Sequence, residues 1–308
     1  MRGIVLALAL FALAACRKTD TLKTLERVAL RDSVAADATL WLDGAGRVWI
    51  GGPGGLVAFD STGRRLGGVK VGLKGAPEVL WTSRGRTYLR GDGAAAVLDA
   101  AGKQAGVRRS GAPLVADPRG RWVYTATRTG SVLGLSPESL GIRWGWPDAG
   151  SAVSAMAVSP LGDRVYVALA GSGERDVDPG IEIRDALSGR VLSTHAMAAG
   201  AAALRVGPDG TLYALLGGSV VALRHGPQGL KEIWSRSLGG IGRPNPDALR
   251  VSPDGKRLAV LARGHTLHLL SAGDGTVLQE SKRAPRDAAW DASGRLWVLG
   301  AREIRIVR

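Results

Sequence analysis

One cysteine, Cys16, stands in 308 residues, and it lies near the N-terminus. A lone cysteine excludes an intrachain disulfide, a thiolate metal cage and a haem-attachment pair. A domain of this size must then be held by its hydrophobic core. Asparagine is almost absent, with Asn245 alone. Histidine is scarce and badly placed. His265 and His268 are three apart in a strand-like run, so they point to opposite faces and cannot chelate one metal. His195 and His225 have no paired acid nearby in sequence. The chain has no Gly-x-Ser-x-Gly elbow, phosphate-binding loop or dinucleotide fingerprint. Beyond the N-terminal stretch no segment reaches the roughly 20 apolar residues needed to cross a bilayer. No helix-period segment of useful length occurs. The reading therefore assigns no catalytic residue, no metal site and no cofactor.

What is abundant is glycine, and it is periodic. Gly46, Gly85, Gly120, Gly162, Gly210, Gly255 and Gly294 each close a tight turn between two strand-like runs. They recur roughly every 40 residues, a period that belongs to repeat architectures. Pro118, Pro160, Pro208 and Pro253 sit two residues before the glycine. In Ser252-Pro-Asp-Gly255, Pro presets φ, Asp can bond its own backbone, and Gly accepts the closing conformation. An aromatic follows three or four residues later: Trp49, Tyr88, Tyr124, Tyr166, Tyr213 and Trp297, with Ala259 in the sixth unit. Second turns follow, such as Asp60-Ser-Thr-Gly63 and Asp185-Ala-Leu-Ser-Gly189. Each unit is thus four short antiparallel strands, a to d from the inside outward. Seven such units predict an all-β, seven-bladed β-propeller. The last unit ends after strand c, at Glu303-Ile-Arg-Ile-Val. The segment Leu25-Glu-Arg-Val-Ala-Leu is expected to supply its fourth strand and close the ring, which removes the open sheet edges. The domain reading is 1–15 signal peptide, 16–24 tether and 25–308 propeller.

At the N-terminus, Arg2 precedes an apolar run from Ile4 to Ala12 that is too short to span a membrane. Its end, Leu13-Ala14-Ala15-Cys16, resembles the bacterial lipobox. The resemblance implies a lipoprotein acylated on Cys16 and so attached to membrane. The competing reading is an ordinary signal peptide followed by an unrelated cysteine. In lipoproteins an Asp after the cysteine retains the protein in the inner membrane. Arg17 stands here, which implies the outer membrane.

The Ser-Pro-Asp-Gly turns resemble YVTN-type and WD-like bacterial propellers. The Asp-x-x-x-Gly-x-x-Leu turns look like pyrroloquinoline-quinone-type repeats. Residues 47–60, from Arg47-Val-Trp-Ile-Gly-Gly-Pro, look like the propeller repeat of two-component sensor ectodomains. These resemblances imply fold more than function, because such folds host many activities. No Trp-Asp pair ends a strand c. The vicinal cysteines that accompany the quinone, and the Asn-rich Ca²⁺ site of gluconolactonases, have no counterpart.

Two loops offer candidate contacts. Glu174, Asp176 and Asp178 lie in the long b–c loop of the fourth unit and could bind Ca²⁺ or stand as a solvated acidic loop. Arg243, Asn245 and Asp247 lie in the longest d–a loop. The formal charge of +14 fits anionic partners or a GC-rich genome. An exported chain is not expected to meet nucleic acid. Turn arginines suggest a mildly basic face toward lipid head groups, or simply solvated charge. The reading is a monomeric, non-enzymatic envelope scaffold with a protein partner. An exported lactonase-like hydrolase and a small-ligand sensor are the alternatives.

Overall fold

The computed structural model describes residues 24–30, 33–43, 45–83, 85–109, 113–127, 129–147, 150–172, 177–238, 249–261, 266–281 and 285–307. All of its regular elements are strands, grouped in seven four-stranded antiparallel sheets. Blade one spans residues 39–69, blade two 78–109, blade three 114–145 and blade four 153–196. Blade five spans 203–237, blade six 249–281, and blade seven 287–307 together with the N-terminal strand Thr24–Ala29. The expected closure is therefore present. Thr24–Ala29 pairs antiparallel with Glu303–Val307, Thr24 opposite Val307 and Ala29 opposite Glu303.

The a–b turns share one hydrogen-bond pattern. In blade six the Ser252 N–H donates to the Arg257 carbonyl, and the Gly255 N–H donates back to the Ser252 carbonyl, each at 2.9 Å. Gly255 has φ +69°, a region that costs other residues a Cβ clash. The same reciprocal pair recurs at Asp43 and Gly46, and at Asp291 and Gly294.

The core is a ring of seven apolar layers, one between each pair of blades. Between blades four and five, for instance, Tyr166, Ile181 and Ile183 meet Leu204, Leu212 and Leu223, all buried. The b-strand tyrosines fasten neighbours. Tyr88 Oη donates to the Pro137 carbonyl of blade three at 2.8 Å, and Tyr124 Oη to the Ala186 carbonyl of blade four at 3.3 Å. Burial pushes the Tyr124 hydroxyl up to about 12, helped by the Asp117 charge, so it stays a donor.

The c–d turn glycines serve a second purpose that turn chemistry does not announce. A Cβ on Gly189 would clash with the Trp146 ring of blade three, and one on Gly275 with the Trp234 ring of blade five. Likewise Gly63 of blade one receives Val28 from the closing strand. An outer-strand side chain of one blade thus caps the next blade's turn.

Candidate functional site

The seven a strands surround a central channel enclosing a cavity of about 550 Å³. Counting back from each turn glycine, the side chains five positions earlier are Trp41, Leu80, Val115, Ala157, Arg205, Arg250 and Ala289. Four of the seven are aliphatic, and the lining also holds three indoles, Trp41 in this row and Trp81 and Trp290 one position nearer their glycines. Trp81 stacks on Tyr88 with ring centroids 4.6 Å apart. The Arg257 guanidinium lies 4.8 Å from the Trp290 ring centroid. The buried Nε1–H of Trp290 has no hydrogen-bond partner.

The lining runs from Glu78 at one end to Asp117, Pro118 and Pro253, beside the a–b turns, at the other. The Glu78 end is polar. Glu78 Oε2 accepts from Arg90 at 2.7 Å, and Oε1 accepts from Arg250 at 3.1 Å. Arg250 belongs to blade six and Glu78 to blade two, with blades seven and one between them, so this pair crosses the channel. Asp287 of blade seven lies 3.8 Å from Arg250. Its oxygens accept from the Leu40 N–H of blade one and the Ala288 N–H, both at 2.8 Å. In blade one, the Thr39 hydroxyl donates to the Pro77 carbonyl of blade two at 2.7 Å. Asp287, Thr39 and Glu78 occupy one repeat position in three consecutive blades, where blades four and five have Ala155 and Ala203. That departure from the repeat was the sequence signal for this cluster, and the sequence reading missed it.

At the other end the turn arginines are largely committed within the fold. Arg47 Nε donates to Asp43 at 2.6 Å and Arg295 Nε to Asp291 at 2.7 Å. Each of these aspartates also accepts an indole N–H at 3.0 Å, from Trp49 and Trp297. Burial pushes the Asp291 carboxyl up, but Trp297, Ser293 and Arg295 outweigh it and hold it at about 2. Arg121 bonds Asp117 and reaches the Gly162 carbonyl of blade four at 2.8 Å. Arg257 reaches the Gly294 carbonyl of blade seven at 2.6 Å. Arg121 and Arg257 thus stitch neighbouring blades, while Arg47 and Arg295 brace their own turns.

Of the candidate loop residues, Asp178 is described. It is exposed and follows the bridge between Ser172 and Val177. Glu174, Asp176, Arg243, Asn245, Asp247, His265 and Cys16 lie outside the described residues. Among the described residues no group of three or more His, Cys, Asp and Glu side chains is arranged to hold a metal ion. His225 Nδ1 lies 3.2 Å from an Arg164 nitrogen, and burial together with that cation lowers its pKa. His268 is buried, which also lowers its pKa, and its Nδ1 has no partner.

No family model matches the chain, and no curated protein sequence matches it significantly. The fold is similar to the crystal structure of the β-propeller domain of Cps50 (Swd1) from Myceliophteria thermophila. The TM-score is 0.72 at 16% identity, over 92% of this chain and 98% of that one. At that identity the likeness shows the fold alone.

Proposed function

We propose that this chain is a lipid-anchored, monomeric propeller of the cell envelope that works by binding a protein partner, not by catalysis. The observation that carries the reading is the Glu78–Arg250 pair across the channel. General acid–base chemistry needs a group within reach of the substrate proton. Here the oxygens of Glu78 and Asp287 already accept from guanidinium or backbone donors. The cluster is thereby suited to holding blades two, six, seven and one in register, which leaves the outer surfaces for contact. The anchor through Cys16 and the outer-membrane location are supported by the lipobox-like sequence and Arg17. The test is affinity capture of the acylated protein from its own membrane. A stoichiometric protein partner is expected. Recovery of none, with turnover of lactones or esters that Glu78→Gln abolishes, would favour the hydrolase.

The small-ligand alternative has one observation in its favour: three indoles line a cavity of about 550 Å³. A largely apolar ligand fits that lining. Native mass spectrometry of the purified protein should then show a retained small molecule that Trp290→Phe loses.

A further inference from the structure

Blade four carries two leucines at its turn tips. Leu161 is 64% exposed in the a–b turn, and Leu187 is 85% exposed in the c–d turn. Strands alternate in direction, so both turns lie on the face of the turn glycines. The turns adjoin, since the Ala186 N–H donates to the Asp163 carbonyl at 2.9 Å. Both tips are held firmly. The Ser159 hydroxyl bonds Asp163 at 2.6 Å, and Asp185 Oδ1 accepts the Leu187 and Ser188 N–H groups at 3.1 and 2.7 Å. The leucines are therefore fixed in water with no apolar neighbour required by the turn itself. Other blades place polar or small residues there: Ala45, Arg119, Asp209, Asp254 and Ser293 stand at the position of Leu161, and Ser61, Ala100 and Gly273 at that of Leu187.

The closing strand begins on the same face, since Thr24 pairs with Val307 at the c–d side of blade seven. Blade four lies three blades round from blade seven. A tether at one rim and an apolar pair near the opposite rim define a plane. We infer that Leu161 and Leu187 insert into a lipid bilayer and lay the disc flat on it, turn face down. Inserted leucine side chains leave water, the step that drives interfacial binding. The spacer from Arg17 to Thr24 is short enough for this, reaching under about 30 Å when extended. The inference rests on the lipid-anchor reading for the membrane's proximity. It does not rest on turn-face charge, because many of the arginines there are internally paired.

The test places an NBD probe on Leu187→Cys in the full acylated chain, in phosphatidylethanolamine–phosphatidylglycerol vesicles containing doxyl-labelled lipid. Asp92→Cys, on an exposed b–c turn of the opposite face, is the reference. Blue-shifted, lipid-quenched emission at 187 and water-like emission at 92 are expected. Adding Leu161→Asp should cut the quenching at 187 several-fold. Water-like emission at both sites, or equal quenching at both, overturns the inference. Labelling of the unsubstituted chain reports on Cys16 separately. If Cys16 takes the probe, the anchor reading fails, and the measurement is repeated in Cys16→Ser with Leu187→Cys. Quenching at 187 then still upholds insertion, and its loss still refutes it.

Discussion

Glycines that share a backbone conformation differ in what surrounds them. Gly46 has φ +75° and no atom within 4 Å of an added Cβ, whereas Gly189 has φ +73° and faces the Trp146 ring. Gly46→Ala should therefore cost about 1 kcal/mol, the left-handed backbone penalty alone. Gly189→Ala should cost about 3 kcal/mol, because overpacking adds to it. Urea unfolding of the two variants measures the difference. A similar asymmetry applies to Glu78, which serves Arg90 and Arg250 together. Glu78→Ala leaves two guanidiniums without that anion and should cost about 3 kcal/mol. Arg250→Ala leaves Glu78 its Arg90 partner and should cost about half as much. The turn role of Gly46 and Gly189 was legible in the sequence, because positive φ is a local demand. The crowding at Gly189 was not, because it depends on a neighbouring blade. Glu78 and Arg250 are 172 positions apart, and no local pattern links them.

At the scale of the strand, the closing segment is a largely exposed element with a large responsibility. Of Thr24–Ala29 only Val28 is buried, and it caps Gly63 of blade one as well as joining the core between blades seven and one. Val28→Ala should cost about 2 kcal/mol through two lost methyl groups and the space they leave. If the strand seals the ring, hydrogen exchange should rise in both Glu303–Val307 and Thr39–Leu42, and not in blade four. Uniform exchange across all blades would contradict that. The existence of this strand was legible because the last repeat lacked its fourth run. The polar end of the channel wall left a trace in the sequence, with Asp287, Thr39 and Glu78 at a repeat position where blades four and five carry alanine, but the partner of Glu78 did not, because Arg250 stands in a distant blade.

For the molecule as a whole, acid stability follows from two sets of titrating groups that act in separate pH ranges. His225 and His268 have folded pKa values below the unfolded value of about 6.5. The unfolded chain binds their protons more readily, so stability is lost as pH falls below about 6.5. Asp291, held at about 2, contributes stability that is complete above its unfolded value near 3.8 and lost as pH drops toward 2. Asp43, Asp209 and Asp254 are lowered in the same sense. Melting temperature against pH should thus fall in two stages, separated by a shallower interval. The double variant His225→Gln, His268→Leu should lose the upper stage and keep the lower. A single acid transition in the parent protein would count against this division.

The ladder between residues 24–29 and 303–307 also imposes an order in time. Its first half is made long before its second, so an emerging chain can stack six blades yet remain an open arc. The first strand must wait, unpaired, until residues 303–307 arrive. Contacts so distant in sequence are slow to form, because chain entropy is spent before they return any energy. Glu26 and Arg27, both exposed on that strand, place charge on an edge that would otherwise invite the wrong partner during the delay.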